Sequence, residues 1–253
     1  VDGKDKGDYK AGKIMIATGS HPSSLPGIII DEKHIVSSTG ALSLETLPKK
    51  MVVIGAGYIG LELGTVWARL GAEVEIIEFL PRILPGMDAE IAKKFMTIAK
   101  KQGLKFRLST AVKSAKAEKN GVSLSVTPAN GGDEETIKAD IALVSVGRHP
   151  ATDGLGLEKI GVTMTPRGRI AVDARFETSI EDIYAIGDVI DGPMLAHKAE
   201  EDAVAAVEMM AGKPGHVDYD LVPGIVYTAP EIATLGKSEE ALNEAGVDFA
   251  KGV

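Results

Sequence analysis

Residues 49–80, KKMVVIGAGYIGLELGTVWARLGAEVEIIEFL, decide how the rest of the chain is read. Residues 51–54 are a short apolar run rich in β-branched side chains, the mark of a buried strand. The run ends in Gly55-Ala56-Gly57-Tyr58-Ile59-Gly60. Ile59, Leu63, Val66, Trp67 and Leu70 then recur at helical spacing, and Gly71 is placed to end that helix. A second strand is expected over residues 73–77, stopping at Glu78.

Glycine-rich turns are common, so G-x-G-x-x-G alone is weak. Here it joins a strand to a helix inside a βαβ unit, with an acid at the end of the second strand, which is the dinucleotide-binding arrangement. Gly55 permits the tight turn, Gly57 lets backbone approach a pyrophosphate, and Gly60 lets helix and strand pack closely. Gly64 is expected to extend that packing by one turn. Tyr58 and Ile59 fall at the positive end of the helix, where free N–H groups suit an anion. Glu78 lies 18 residues beyond Gly60, near the spacing of a ribose-binding acid. Its carboxylate can accept from both ribose hydroxyls and would repel a 2′-phosphate. Phe79, Leu80 and Pro81 follow it, without an adjacent Lys or Arg, so the reading is NAD(H) rather than NADP(H). The competing reading is a structural turn followed by a solvated glutamate.

A chain of 253 residues has room for one large domain or two ordinary ones. Its hydrophobic content of 44% and charged content of 25% are those of a soluble globular protein. A net charge of −8 argues against nucleic-acid and anionic-membrane surfaces. No apolar run approaches the roughly 20 residues that span a bilayer. Without cysteine, these residues supply no disulfide, thiolate nucleophile or cysteine metal site. The histidines lack metal-ligand spacing, so no metal is expected. The chain opens on Val1 with no signal-like segment and reads as a fragment.

Taken in order, residues 1–12 read as a surface turn, and residues 13–16 as a strand running into Ala17-Thr18-Gly19-Ser20. A short helix is expected over 37–47, and another from Asp88 to Gly103 with Ile91, Phe95 and Ile98 inward. Residues 104–108 complete three parallel strands. The period then changes: 112–118, 122–127 and 135–138 alternate as an antiparallel meander, turning at Asn120-Gly121 and Asn130-Gly131-Gly132. Residues 141–146 form a strand covered on both faces, leading to Gly147. Residues 183–186 form another strand, which ends at Gly187-Asp188, an acid able to accept from a polyol hydroxyl. A long helix runs to Met210 with Ala199, Ala203, Val204 and Val207 inward. Residues 238–245 form a last helix with little left to pack against.

The motifs ATGS at 17–20, GAGYIGLELG at 55–64, VEIIEFL at 74–80, VSVGRHP at 144–150, YAIGDV at 184–189 and GPMLAHKAEED at 192–202 occur in this order. Together they resemble the dihydrolipoyl dehydrogenase family of pyridine nucleotide–disulfide oxidoreductases, across essentially the whole chain. The resemblance implies an α/β fold of two nested Rossmann-like domains, one for NAD inserted in one for FAD, followed by the start of an α+β interface domain. It implies FAD-domain segments over 1–46 and 151–218, an NAD domain over 47–150 with the three-stranded meander, and an interface domain starting at 219. Gly55, Gly57, Tyr58, Ile59, Gly60, Glu78, Phe79, Val112 and Gly147 would line NAD. Thr18, Gly19, Asp188, Met194, Leu195, Ala196 and His197 would line FAD, with Asp188 on the ribityl chain. Glu62 would lie near the nicotinamide–flavin contact; the bland alternative is a solvated helix acid.

The implied activity is oxidation of protein-bound dihydrolipoamide with hydride passed from FAD to NAD. The implied setting is a homodimer in the mitochondrial matrix, serving lipoyl-bearing proteins of the 2-oxo acid dehydrogenase complexes and the glycine cleavage system. The family's redox cysteine pair, N-terminal FAD fingerprint and C-terminal His–Glu pair do not occur in these residues. Two alternatives follow: a sister NADH-dependent flavoprotein such as a mercuric reductase or NADH oxidase, and a non-catalytic NAD(H)-binding module.

Overall fold

The computed structural model describes Lys4 and residues 7–253. The turn expected over residues 1–12 therefore falls partly outside the described residues. In chain order the first half contains strands β1 (Ile14–Ile16), β2 (Ser20–Pro22) and β3 (Ile35–Val36) and helix α1 (Ser38–Leu42). The nucleotide-type unit follows as β4 (Lys50–Ile54), α2 (Tyr58–Leu70), β5 (Glu73–Ile77), α3 (Ala89–Lys101) and β6 (Lys105–Arg107). Then come β7 (Thr110–Glu118), β8 (Gly121–Pro128), β9 (Glu135–Ala139), β10 (Ile141–Val144) and β11 (Arg148–Pro150). The remainder is α4 (Leu157–Ile160), β12 (Ile183–Ala185), α5 (Ala196–Met210), β13 (Gly224–Val226), β14 (Ile232–Thr234) and α6 (Glu239–Glu244).

These elements divide into two compact units. One joins the residues up to His21 with Arg148–Val222, and the other joins Pro22–Gly147 with Pro223–Val253. The second is built on a five-stranded parallel sheet of order β3-β10-β4-β5-β6. Successive side chains alternate across that sheet. Met51 and Val53 pack with Leu61, Ile76 and Phe95 on the helical side, whereas Val52 and Ile54 pack with Leu124, Val126 and Ile137 of the antiparallel β7-β8-β9 meander. Cover on both faces is why residues 51–54 of β4 and all of β10 are continuously apolar. Each fully buried Val, Ile or Leu contributes about 1.5–3 kcal/mol relative to exposure.

Several helix faces differ from the periodicity reading. In α2 the buried positions are Gly60, Leu61, Gly64 and Thr65, while Val66 and Leu70 are exposed. In α3, Ala92, Phe95 and Ala99 are buried, while Ile91 and Ile98 are exposed. Gly60 lets α2 lie close to the sheet, and in the two helices Leu61 and Phe95 point inward while Val66, Leu70, Ile91 and Ile98 are turned outward. The caps follow expectation: Gly71 is left-handed with φ 115°, and the Asp88 carboxylate accepts from the Glu90 and Ile91 N–H groups. The first helix is shorter than the expected 37–47 and ends at Leu42. Strand β10 stops two residues before the expected end, where the Ser145 N–H and hydroxyl both donate to the Ile54 carbonyl, at 2.9 and 3.0 Å.

The chain beyond Pro223 has more to pack against than expected. Val226 and Ile232 of the antiparallel β13–β14 hairpin enter the helical-side core. Ser238 caps α6 as expected. The Glu240 carboxylate accepts from the Ala89 N–H at 2.8 Å, so an acid sits at the positive end of α3. Lys251 bonds both Glu90 and Glu239.

In the other unit, β1 pairs in parallel with β12, and β2 pairs with β11. Its core gathers Leu157, Ile170, Phe176, Ala185, Val189 and Ala206, among others. Helix α5 corrects the inward face expected from periodicity. Val204 and Val207 are 59% and 54% exposed, whereas Lys198 and Asp202 are completely buried. The polar pair is satisfied internally, which removes the reason for it to face water.

Candidate nucleotide-binding sites

Strand order reverses direction at β4: the chain runs outward through β5 and β6, then returns to β10 on the other side. Ligands of doubly wound sheets bind at the carboxyl ends of the strands flanking such a switch point. The loops leaving β4 and β10 meet there. A Cβ on Gly55, whose φ is 107°, would lie 2.4 Å from the Ser145 carbonyl oxygen. A Cβ on Gly60 would lie 2.1 Å from the Gly55 carbonyl oxygen and 2.7 Å from Ser145 Oγ. Both glycines are therefore required by packing. Gly64 is different, since its Cβ would make ordinary contacts of 3.4–3.6 Å with Ile76, Val53 and Val74. Gly64 thus does not extend the close approach made by Gly60.

Gly57 begins α2, no side chain caps this helix, and nothing lies within 4 Å of a Cβ built on Gly57. Open space over an uncapped helix N-terminus fits a pyrophosphate, with the first-turn N–H groups of Tyr58, Ile59 and Gly60 at the positive end.

Glu78 is buried, not solvated. One carboxylate oxygen accepts from the Ala56 N–H at 2.7 Å and the other from the Leu80 N–H at 2.8 Å. It thereby ties the end of β5 to the glycine loop. A carboxylate has about four acceptor positions, so two remain for ribose hydroxyls. Phe79, next along, is 59% exposed. Val112 lies half-buried in β7, beside a register shift and against the cluster holding Ile54 and Ile77. Gly147 is left-handed with φ 119°, exposed, and accepts from the Ser23 N–H at 3.0 Å. The Glu62 side chain accepts from the Tyr227 N–H at 2.9 Å. Burial, and after it the Glu62 charge, raises the pKa of the Tyr58 hydroxyl.

The flavin-type residues all lie in the other unit. The Thr18 hydroxyl donates to the Ala151 carbonyl at 2.7 Å, and Gly19, with φ 74°, accepts from the Ala151 N–H at 2.8 Å. Asp188 follows β12 in a tight turn and accepts from the Ser20 hydroxyl. Arg148 holds Ser20 from the other side, donating to its Oγ at 2.7 Å and its carbonyl at 2.6 Å. Met194, Leu195, Ala196 and His197 form the entry to α5, whose first turn has no side-chain cap. A carboxylate with spare acceptor positions beside an uncapped helix start fits part of a polyol- and phosphate-bearing ligand.

Sequence reasoning missed Ser20 and Arg148 as members of this arrangement, and Lys198 and Asp202 as the buried pair behind it. Ser20 and Arg148 stand inside motifs already singled out. Lys198 and Asp202 also fall inside a quoted motif, that at 192–202, and their opposite charges four residues apart on one helix are a further signal. Among the described residues there is no group of three or more side chains able to hold a metal, and no helix long and apolar enough to cross a membrane.

Comparison with known proteins fits this geometry. Residues 1–203 match the pyridine nucleotide-disulphide oxidoreductase family. The mitochondrial dihydrolipoyl dehydrogenase of Pisum sativum is 59% identical over 243 residues, covering 96% of this chain and 48% of that protein. The leghemoglobin reductase of Glycine max is 58% identical, covering 96% and 46%. The HOCl-induced flavoprotein disulfide reductase RclA of Escherichia coli superposes with a TM-score of 0.83 at 31% identity, covering 93% and 54%. The chain spans about half the length of the curated relatives it matches. With the family match running from residue 1 into the first half of α5, and both glycine-turn units inside it, this chain belongs to the pyridine nucleotide-disulphide oxidoreductase family.

Proposed function

We propose that these residues are the NAD-binding part and a portion of the FAD-binding part of a dihydrolipoyl dehydrogenase. The whole protein would oxidise dihydrolipoamide carried on a lipoyl-bearing protein of a 2-oxo acid dehydrogenase or glycine cleavage complex and reduce NAD. The observation that carries this is the glycine loop at the switch point, clasped by the buried Glu78, in a chain 59% identical to a dihydrolipoyl dehydrogenase. The mitochondrial name of that relative supports a place in the mitochondrial matrix, and the family supports a homodimer. In domain terms, β3 pairs with β10 in the NAD-side sheet, so the flavin domain takes residues up to 21 and 148–222 and the NAD domain takes 22–147; those from 223 start the interface domain.

Bound FAD supplies a two-electron carrier between the dithiol and NAD. Gly57 and the first turn of α2 seat the dinucleotide's phosphates, and Gly55 and Gly60 keep that turn tight. Glu78 accepts from the ribose hydroxyls and repels a 2′-phosphate. Phe79, Val112 and Gly147 wall the site, and Glu62 supplies the acid at its nicotinamide end. Thr18, Gly19, Asp188 and residues 194–197 line the flavin, with Asp188 taking the polyol hydroxyls.

Titration of the chain with NADH and with NADPH, read by nicotinamide fluorescence, tests this reading. NADH is expected to bind at least about tenfold more tightly, since a tenfold ratio needs only about 1.4 kcal/mol and like charges brought together cost more. Equal affinities would sink the role of Glu78. A second reading, an NADH-dependent reductase of another acceptor, is favoured by the 58% identity to leghemoglobin reductase. Comparing dihydrolipoamide and haem-protein acceptors with the whole enzyme separates the two.

A further inference from the structure

Helix α5 carries a lysine and an aspartate that are both fully buried and that neither proposed cofactor site uses. Lys198 Nζ lies 2.7 Å from Asp202 Oδ2, and each side chain is 0% exposed. Both partners close on one residue of the neighbouring turn. Lys198 Nζ donates to the Gly187 carbonyl at 3.0 Å, and Asp202 Oδ2 accepts from the Gly187 N–H at 3.0 Å. Tyr219 completes the enclosure. Its hydroxyl donates to Asp202 Oδ1 at 2.8 Å, and its ring lies 5.0 Å from the Lys198 ammonium. Burial and the Asp202 hydrogen bond raise the Tyr219 pKa, so the hydroxyl stays a donor. The packing leaves no slack: a Cβ on Gly192 would meet Lys198 Cε at 2.9 Å, and one on Gly187 would meet Ala199 Cβ at 3.1 Å.

The gripped residue is the one before Asp188. Gly187 is left-handed, with φ 71°, a conformation glycine adopts readily but does not choose uniquely. Hydrogen-bonding its N–H and its carbonyl to opposite ends of one ion pair fixes the peptide planes on both sides. The direction in which Asp188 leaves the turn is then fixed too. A buried pair is weak evidence of added stability, because desolvation offsets attraction. Its better-supported use is to select one geometry.

We propose that Lys198 and Asp202 are positioning residues: a buried clamp that sets the Gly187 turn and so aims the Asp188 carboxylate at the ribityl hydroxyls of the flavin. The proposal rests on the flavin reading given above. Lys198 and Asp202 touch no ligand themselves; they act through the Gly187 backbone.

The test uses the whole enzyme and the double variant Lys198→Met with Asp202→Leu, which replaces the pair by apolar groups of similar size and so leaves no lone buried charge. FAD affinity is read by flavin fluorescence, NADH affinity by nicotinamide fluorescence, and the Gly187 turn by amide hydrogen exchange. The expected result is an FAD dissociation constant raised at least about tenfold, which is roughly 1.4 kcal/mol. NADH affinity is unchanged, and protection is lost at Gly187 while the core strands keep theirs. Tyr219→Phe, which removes one hydroxyl and keeps the ion pair, gives a smaller shift in the same direction. Parent-like FAD affinity together with parent-like Gly187 protection overturns the proposal. If the unaltered whole enzyme binds no FAD, the flavin reading fails, and the aiming of Asp188 fails with it even if Gly187 loses its protection. If the double variant does not fold, the comparison is made on Tyr219→Phe alone, where unchanged protection at Gly187 overturns the clamp.

Discussion

Three alanine substitutions at the start of α2 separate what the glycine loop does for the fold from what it does for a ligand. At Gly60 an added Cβ would stand 2.1 Å from the Gly55 carbonyl oxygen, about 1 Å inside the shortest contact such atoms tolerate. The oxygen belongs to backbone held at Gly55 by a positive φ, so the helix has to move off its strand. Overpacking of this kind costs about 1–3 kcal/mol, against a gain of about 1 kcal/mol from replacing glycine within a helix. Gly60→Ala should therefore lower stability by up to about 2 kcal/mol and weaken NADH binding as the loop shifts. Gly64→Ala, one turn later, meets only ordinary contacts. It should be neutral, or stabilising by up to about 1 kcal/mol, with NADH affinity retained. At Gly57 nothing lies within 4 Å of the new Cβ, and its φ of −80° suits any residue. The folded chain should lose only about 0.5–1 kcal/mol, from the poorer N-cap. NADH affinity should nonetheless fall by more than tenfold, because the methyl group occupies the space that the pyrophosphate needs. Thermal unfolding and NADH fluorescence titration on the same preparations give both numbers. Parent-like NADH binding by Gly57→Ala, or a Gly60→Ala variant as stable as Gly64→Ala, would refute this assignment of roles.

Glu78→Ala strips acceptors from the Ala56 and Leu80 N–H groups. It should cost about 1–3 kcal/mol and reduce the preference for NADH over NADPH, checked by denaturant unfolding and paired titrations. Lys198→Met alone leaves the Asp202 carboxyl buried without its ion-pair partner, so it should destabilise by about 3–5 kcal/mol, well beyond the double variant when both are compared by calorimetry. Hydrogen bonds from Lys251 and Lys94 hold the Glu90 carboxyl at about 2, below its usual 4.5. Its folded-state value is depressed, so its contribution is present above 4.5 and is lost as the pH falls toward 2. Lys251→Ala should move the Glu90 value up toward the usual one, read by carboxyl-carbon NMR, and an unmoved value would break the assignment. Tyr58 ionises above its ordinary range mainly through burial and secondarily through Glu62. Glu62→Gln should lower its ultraviolet titration midpoint without bringing it fully back to the usual 10.

What could be read in advance was whatever depends on local geometry. A left-handed residue after a helix, a side chain able to cap a first turn, and a tight turn between strand and helix are properties of a few consecutive residues. Gly71, Asp88, Ser238 and the loop from Gly55 to Gly60 were legible for that reason. The β7-β8-β9 meander was legible because its period of two is unlike that of the parallel strands around it. Residues 22–46 were harder. Read as an FAD-side segment with a connector, they place a two-residue strand, β3, beside β10 at the sheet edge. So short a strand has no period to detect.

The helix faces failed for a physical reason that also explains the clamp. Periodicity arguments assume that the largest apolar side chains face inward, which holds where helices pack at full separation. Here α2 lies against its sheet at close range, with Gly60 meeting the Gly55 backbone. Gly60, Gly64, Ala92 and Ala99 do much of the facing, and Val66, Leu70, Ile91 and Ile98 are left outside. In α5 the same proximity brings the helix against the backbone of the Gly187 turn rather than against side chains. A turn presents unpaired N–H and carbonyl groups, and burying them unmatched would cost about 1–3 kcal/mol apiece. A lysine and an aspartate four residues apart offer one donor and one acceptor at the spacing needed to match both. The polar residues are inside because the backbone they face is polar. That requirement belongs to the partner turn, so it cannot be read from the helix sequence alone.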